Sequence, residues 1–582
     1  MSMANGDDRR CPDPGTAGGG GGGGAGASGD RRRLAGTAPL RPPAPEPRGG
    51  AIWAIAAGLA VLAGVSVLAR SGGRGFSLWV DEGMSVGIAS HSLTEIPAVL
   101  IRDGSPPLYY VVLHLWMGLF GSSEVAVRSL SLVIALVAIP VAWWAGRALF
   151  GGRVGWVAAV LVAFSSYLTV YSRGARMYTL VVVLGLVAVA AFLQVFILRR
   201  RRLLAVLVIG LAALLYTHHW GLFLAAALIV ALPVCILASD GDRRGAMVDA
   251  GIAFVGVAVL YAPWVPTLVA QVRDTGAPWS RTPGGVDAVG SILSVLGGPG
   301  VSLVLGLVVV ALAVRLVRRR HSFRPSASGS SKVGISADLD YQKHEGVMVA
   351  ALAVILLTTV GASWLSSQVE PAWSTRYFGV YLPPLVLLGA LALERAAKVG
   401  LVALAVVVGL WSVPSFGIWQ SPSAAVPKSN VAELAGRLEP LIRPGDVVMA
   451  TQLEQIPLLR YYLGRGLRYA DPTGVVADPT VADWRHALAR MAAARPADVL
   501  VPLVSGLEPG GHVVLACPRL FTDGDDTLWY RLMDRHCESA GAALAATPGL
   551  EKLWGPIPPP ALDEAGASMA VSLYRRRGGT PP

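Results

Sequence analysis

The chain has 582 residues, of which 53% are hydrophobic and only 15% charged, and its mean hydropathy is +0.55. So little charge cannot cover so much apolar surface, which excludes a soluble globular protein and leaves a polytopic membrane protein. The formal net charge of +12 does not imply nucleic acid as a partner, because the arginines fall mostly in short clusters between apolar runs, as membrane-flanking charges do.

Residues 1–50 carry a Gly tract at 18–24 and the Arg-rich and Pro-rich pieces Arg31-Arg32-Arg33 and Pro42-Pro43. Such a segment buries no core and is expected to be a disordered cytoplasmic tail. The apolar run from Ala51 to Ala69 lacks a short basic head and a cleavage site, so it is expected to stay as an anchor. Stretches long enough to span follow at about 125–145, 153–170, 178–198, 203–217, 220–238, 249–268, 289–316, 347–367, 378–393 and 399–415, for about eleven in all. Residues 106–120 are apolar too but start at Pro106-Pro107, and are expected to form a juxtamembrane or re-entrant helix.

With the N-terminus inside and 106–120 not crossing, Arg147/Arg153, Arg199 to Arg202, Arg243/Arg244, Arg315 to Arg320 and Arg395/Lys398 all fall in the cytoplasm, as the positive-inside rule asks. A crossing at 106–120 would export all five clusters. Residues 318–346 are then a polar cytoplasmic insert, expected to be flexible. Beyond Trp411 the composition changes. Asn430 to Ile442 reads as an amphipathic helix, Asp446 to Ala450 as a strand, Ile456 to Leu463 as a helix, and Val499 to Val504 and His512 to Cys517 as strands. The expected division is therefore a tail at 1–50, a membrane domain at 51–415 and a small extracytoplasmic α/β domain at 416–582. Cys517 and Cys537 are the only cysteine pair in that last domain; an oxidising compartment permits a disulfide, and two unrelated thiols are the alternative.

The same topology gathers the chemically unusual loops on the outer face. They hold Trp79-Val80-Asp81-Glu82, the segment Asp103 to Tyr110, Tyr171 to Tyr178 with Arg173 and Arg176, Thr217-His218-His219-Trp220, and Trp364 to Tyr381 with Arg376 and Tyr377. Acidic pairs are costly at a bilayer surface, and Arg173, Arg176 and Arg376 break the charge rule, so both suggest a site at the membrane boundary. The plainer alternatives are an acidic turn in which Asp81 caps a short helix, and arginines that snorkel to lipid phosphate. His218 and His219 are adjacent, and adjacent side chains seldom face one metal, so neither a catalytic metal nor a cofactor is expected.

Taken in order, these motifs, together with Arg128 and with Arg376-Tyr377 ahead of Pro383-Pro384, resemble the GT-C membrane glycosyltransferases, and within them the protein-mannosyltransferase-like group, glycosyltransferase family 39. The resemblance covers about residues 51–415. It implies a polytopic α-helical GT-C-like membrane domain and transfer of a sugar from a polyprenyl-phosphate monosaccharide to a glycan, lipid or protein acceptor outside the plasma membrane. Mannose is the first expectation and arabinose or another pentose the second.

Asp81 matches the family position of the base that takes the acceptor's proton, and Glu82 is the second choice. Arg173, Arg176 and Arg376 are candidates for stabilising the departing phosphate, and Asp103 for positioning the acceptor or an arginine. His218, His219, Tyr109 and Tyr377 are further candidates for contact with substrate, with interfacial structural roles as the alternative. Two other classes stay open at this point: a transporter or flippase for an amphiphilic lipid, and a non-catalytic subunit that keeps the fold. A transporter would place its ionisable groups at the midplane of broken spans, whereas these lie at span ends.

Overall fold

Apolar runs in a bilayer must satisfy their own backbone hydrogen bonds, and the first two thirds of the chain do so as helices. The computed structural model describes residues 49–70, 76–237, 242–322, 332–415, 429–518, 527–557 and 568–578, so almost all of the expected N-terminal tail lies outside the described residues. The helices are α1 (Gly49–Arg70), α2 (Val80–Ala89), α3 (Ile96–Asp103), α4 (Leu108–Phe120), α5 (Glu124–Phe150), α6 (Gly152–Phe164), α7 (Ser166–Tyr171) and α8 (Tyr178–Phe196). They continue as α9 (Leu204–Leu215), α10 (Gly221–Leu237), α11 (Arg243–Tyr261), α12 (Val265–Asp274), α13 (Gly285–Val295), α14 (Pro299–Ser322), α15 (Lys332–Val369), α16 (Leu382–Arg395) and α17 (Lys398–Ser415). A 3-10 turn, Thr375–Tyr381, leads into α16.

Every apolar stretch expected to span carries a helix. Six among the described residues are long and apolar enough to cross a bilayer, and α13 with α14, bent by 88°, adds a seventh if the two make one span. The shortfall from eleven comes from breaks: Ser165 caps α7 through Leu168 N and divides α6 from it, and α9 and α10 are short helices joined through His218 and His219. Helix α4, at 13 residues, rises only about 20 Å against a hydrocarbon core of about 30 Å, as does α6, so length alone does not separate the expected juxtamembrane helix from the expected spans. The middle of the insert 318–346, residues 323–331, lies outside the described residues. Helix α14 runs to Ser322 and α15 begins at Lys332, so described residues on both sides of 323–331 are helical, as Lys, Gln, Glu and Ala favour.

The C-terminal part is an α/β domain with α18 (Val431–Leu438), α19 (Gln455–Leu463), α20 (Ala487–Ala493), α21 (Pro496–Ser505) and α22 (Leu528–Ala546). Its strands are β1 (Val447–Ala450), β2 (Arg468–Asp471), β3 (Gly474–Val475), β4 (His512–Pro518), β5 (Leu550–Ile557) and β6 (Met569–Arg576), in the order β3-β2-β1-β4-β6-β5. Strand β1 is parallel to both neighbours, β2 and β4, and the remaining pairs are antiparallel. Side chains alternate across the sheet as the pleat requires: Val447, Met449, Val513 and Leu515 join one core, and Val448, Ala450, Val514 and Ala516 the other.

Val499 to Val504, expected as a strand, lies inside helix α21. A short apolar run fits a buried strand or a buried helix face equally, and Pro496 in the first turn decides for the helix. Helix α18 stops at Leu438, short of Ile442: Glu439 still has helical angles, but Pro440 has no N–H with which to continue the hydrogen-bond ladder. Cys517 on β4 and Cys537 on α22 are joined by a disulfide, with Cα atoms 5.6 Å apart.

This domain is seated on α2. A Cβ on Gly83 would stand 2.9 Å from Leu458 Cα, and one on Gly87 would stand 2.0 Å from the Thr480 carbonyl oxygen, so only glycine at these two positions lets α19 and the 478–480 loop come so close. Polar clamps complete the seat: His91 Nε2 lies 3.2 Å from Asp478, Trp484 N donates to Arg102 O at 2.9 Å, and Tyr462 Oη donates to Glu124 at 3.1 Å.

Candidate active site

The acidic pair occupies the first turn of α2, and its two members face different surroundings. Glu82 is the capping residue, its Oε2 accepting from Trp79 N at 3.0 Å. It also accepts from Ala175 N at 2.9 Å and from both Nε and Nη2 of Arg128, at 2.8 and 2.6 Å. Arg128 in turn donates to the carbonyls of Phe76 and Ser77. With Glu82 1% and Arg128 2% exposed, this is a buried clasp that fixes the start of α2.

Asp81, one residue earlier, is turned toward a cavity of about 890 Å³. Its Oδ2 accepts from Arg376 Nη1 at 2.6 Å and lies 3.9 Å from Arg176 Nε, while its own carbonyl accepts from Arg176 Nη1 at 3.2 Å. The Arg376 guanidinium sits among three aromatic rings, 5.9 Å from the centre of Trp79, 5.8 Å from Trp279 and 5.4 Å from Tyr377, a setting that holds a cation while leaving an edge for an anion. Its Nε is buried with no hydrogen-bond partner.

The cavity wall also includes Asp103, His218, His219 and Tyr377. Burial raises the pKa of Asp103 above the usual carboxylate range, partly offset by Ser105 and Arg176. Burial lowers both histidines, so they present neutral rings: His218 Nδ1 accepts from Trp220 N at 3.1 Å, and His219 Nε2 lies 3.0 Å from the Gly104 carbonyl. The ring centres of His218 and Tyr377 are 4.9 Å apart.

Of the residues singled out from sequence, the cavity thus collects Asp81, Asp103, Arg176, His218, His219, Arg376 and Tyr377. It does not collect the others. Arg173 points away and donates to the Ala69 carbonyl at 2.8 Å, Tyr109 is enclosed in the helix core with its hydroxyl 3.4 Å from Ser131, and Glu82 is in the clasp. The sequence reading missed the far wall, which comes from the C-terminal domain: Gln452, Glu454, Trp484, Pro518, Trp529 and Tyr530. Glu454 is 6% exposed, and burial pushes its carboxyl up to about 8. The only signal for it was its place just beyond an expected strand. Among the described residues, no three of His, Cys, Asp and Glu come together as a metal-holding group.

One acid and two arginines thus line a single cavity between the helical domain and the small sheet domain. Residues 104–269 match the sequence family described as dolichyl-phosphate-mannose-protein mannosyltransferase. The structure is similar to that of ArnT from Cupriavidus metallidurans in the apo state, with a TM-score of 0.56 and 14% identity over 91% of this chain and 100% of that one. It is also similar to the same protein bound to undecaprenyl phosphate, with a TM-score of 0.52 and 13% identity over 90% of this chain and 98% of that one. No curated protein matches the chain by sequence. The sequence match is thus confined to residues 104–269, while the likeness to ArnT is one of fold and extends over nearly the whole chain.

Proposed function

We propose that the protein transfers a sugar from a polyprenyl-phosphate monosaccharide to an acceptor hydroxyl at the extracytoplasmic face of the membrane. The observation that carries this reading is the Asp81–Arg376 pair, 2.6 Å apart with Arg176 beside it, in a cavity at the helix ends. Asp81 takes the acceptor's proton as the acceptor oxygen bonds to the anomeric carbon. The bond from that carbon to the phosphate oxygen breaks, and the polyprenyl phosphate leaves with the electron pair. Arg376 and Arg176, already desolvated and held in place, carry the negative charge that grows on the phosphate. The fold lends support, since ArnT from Cupriavidus metallidurans is seen with undecaprenyl phosphate bound.

Mannose is the first choice of sugar, from the family that matches residues 104–269, and a pentose the second. The arginine clusters of the short loops, such as Arg199 to Arg202 and Arg243/Arg244, support placing them in the cytoplasm and the cavity with residues 416–582 outside. A disulfide in that domain fits an oxidising compartment. The test is transfer by purified protein in detergent with each class of donor. Polyprenyl-phosphate sugars should support turnover and nucleotide sugars should not; the reverse result would refute the mechanism even with the fold unchanged.

A further inference from the structure

The far wall of the cavity is built at a special place in the C-terminal sheet. Strand β1 lies between β2 and β4 and runs parallel to both, so the chain leaves β1 toward β2 on one side and later returns to β4 on the other. In open α/β sheets, ligands bind where strand order reverses, outside the carboxyl ends of the strands. Here those ends are the turn after β1, with Gln452 and Glu454, and Pro518 at the end of β4, and all three line the cavity that holds Asp81.

That turn carries polar atoms that nothing satisfies. Gln452 Oε1 and Glu454 Oε2 are buried without a hydrogen-bond partner; so, in the same turn but not in the cavity lining, are both amide atoms of Gln455 and the hydroxyl of Thr451. Buried polar groups are almost always paired, so the unpaired oxygens of Gln452 and Glu454 in the cavity wall mark the place of a hydrogen-bonding ligand. Beside them stands an aromatic wall: Trp484 is 4.7 Å from Trp279 and 5.5 Å from Trp529, ring centre to ring centre, and all three line the cavity.

We propose that the turn Thr451–Gln455 is the acceptor subsite and that it takes a carbohydrate, with Gln452 and Glu454 bonding its hydroxyls while the tryptophans cover its apolar ring face. The inference rests on the transfer reading above and names the acceptor class for it. A sugar offers several hydroxyls along its edge and C–H groups on its faces, which matches a row of orphan donors and acceptors next to indole rings. An extended peptide fits less well. Peptides add to exposed strand edges, but β1 and β4 are paired on both sides and meet the cavity only with their ends.

The chemistry of Glu454 suits the task. Burial keeps its carboxyl protonated at neutral pH, with a pKa of about 8, so it both donates and accepts a hydrogen bond and adds no second negative charge beside the anionic donor. Arg376 is then left to Asp81 and the donor phosphate.

The test uses the full-length protein in detergent, with methyl glycosides, short oligosaccharides and a Ser/Thr-containing peptide as acceptors. For Glu454→Ala and Gln452→Ala the KM for saccharide acceptors should rise about tenfold while the KM for the polyprenyl-phosphate donor moves less than twofold, and Glu454→Gln, which keeps a donor and an acceptor, should recover most of the difference. An unchanged saccharide KM, a rise confined to the donor KM, or transfer to the peptide but to no saccharide would overturn the proposal. Quenching of tryptophan fluorescence by the oligosaccharides, weakened in Glu454→Ala, reads the same subsite without any donor. Saccharide quenching by a protein inactive with every polyprenyl donor would keep the subsite and reject the transfer reading; absent quenching by a protein active with such a donor would do the opposite.

Discussion

Glu82→Gln separates packing from chemistry in the acidic pair. Among the described residues the wild-type carboxylate accepts four hydrogen bonds, two of them from a guanidinium that is itself buried. The amide keeps the shape but loses the charge and turns one acceptor into a donor aimed at Arg128 or at a backbone N–H. Removing one partner of a buried ion pair costs about 3–5 kcal/mol, because the remaining charge loses its counter-ion. At about 2 °C per kcal/mol for a large domain, the unfolding midpoint should fall by at least about 5 °C. The assay is thermal unfolding of the purified protein in detergent followed by tryptophan fluorescence, with turnover measured on the fraction that stays folded. The expected result is a lowered midpoint and activity that falls with the folded fraction. A midpoint within about 1 °C of wild type together with a loss of turnover of about 100-fold, the scale of a general base, would refute the structural role and put Glu82 in the chemistry.

In the proposed mechanism guanidinium groups hold the phosphate, so Arg376→Gln should cut turnover with a polyprenyl-phosphate sugar by about 100-fold or more while EDTA leaves the wild-type rate within about twofold; an EDTA-sensitive rate would contradict this. The domain seat should respond to pH through His91 and Asp478. The hydrogen bond between them raises the imidazole above 6.5 and holds the carboxyl well below 3.8. The His91 contribution is therefore full below about pH 6.5 and is lost as pH rises through its raised value, while that of Asp478 is lost only far into acid. Hydrogen exchange of residues 478–486, corrected for intrinsic rates, should show weaker protection at pH 8.5 than at pH 6, and His91→Gln should erase the difference. Reporter fusions after Arg320 and after Gln420 should report opposite sides of the membrane; the same side for both would disperse the proposed site. Non-reducing mass spectrometry should recover the Cys517–Cys537 peptides linked, and two free thiols would contradict the bridge.

What the sequence could reveal follows the range of the interactions involved. Membrane helices were legible because each is a local apolar run, and the cavity residues Asp81, Arg176 and Arg376 because charges at span ends stand out against lipid. Glu82 and Asp81 look alike in sequence, and only the position of Arg128, 46 residues further along, separates a clasp from a cavity-facing carboxylate. Arg173 and Arg176 differ only in which way a short loop turns. The apolar run at 499–504 has no periodicity that tells strand from helix, so its helical state depends on Pro496 and on packing against the sheet. Glu454 was out of reach for a further reason: it lies about 370 residues from Asp81 in the chain, and the glycines of α2 that bring the two together show no sign of their partners in the sequence.

In the proposed reaction Asp81 takes the acceptor's proton as polyprenyl phosphate is released. The most direct measurement is the rate of polyprenyl phosphate formation from a labelled polyprenyl-phosphate sugar under single-turnover conditions, for wild type and Asp81→Asn, with folding checked by the thermal midpoint. Release by wild type should depend on the acceptor, and Asp81→Asn protein that still folds should release at least about 100-fold more slowly. Release at near wild-type rate by folded Asp81→Asn would contradict proton transfer to Asp81.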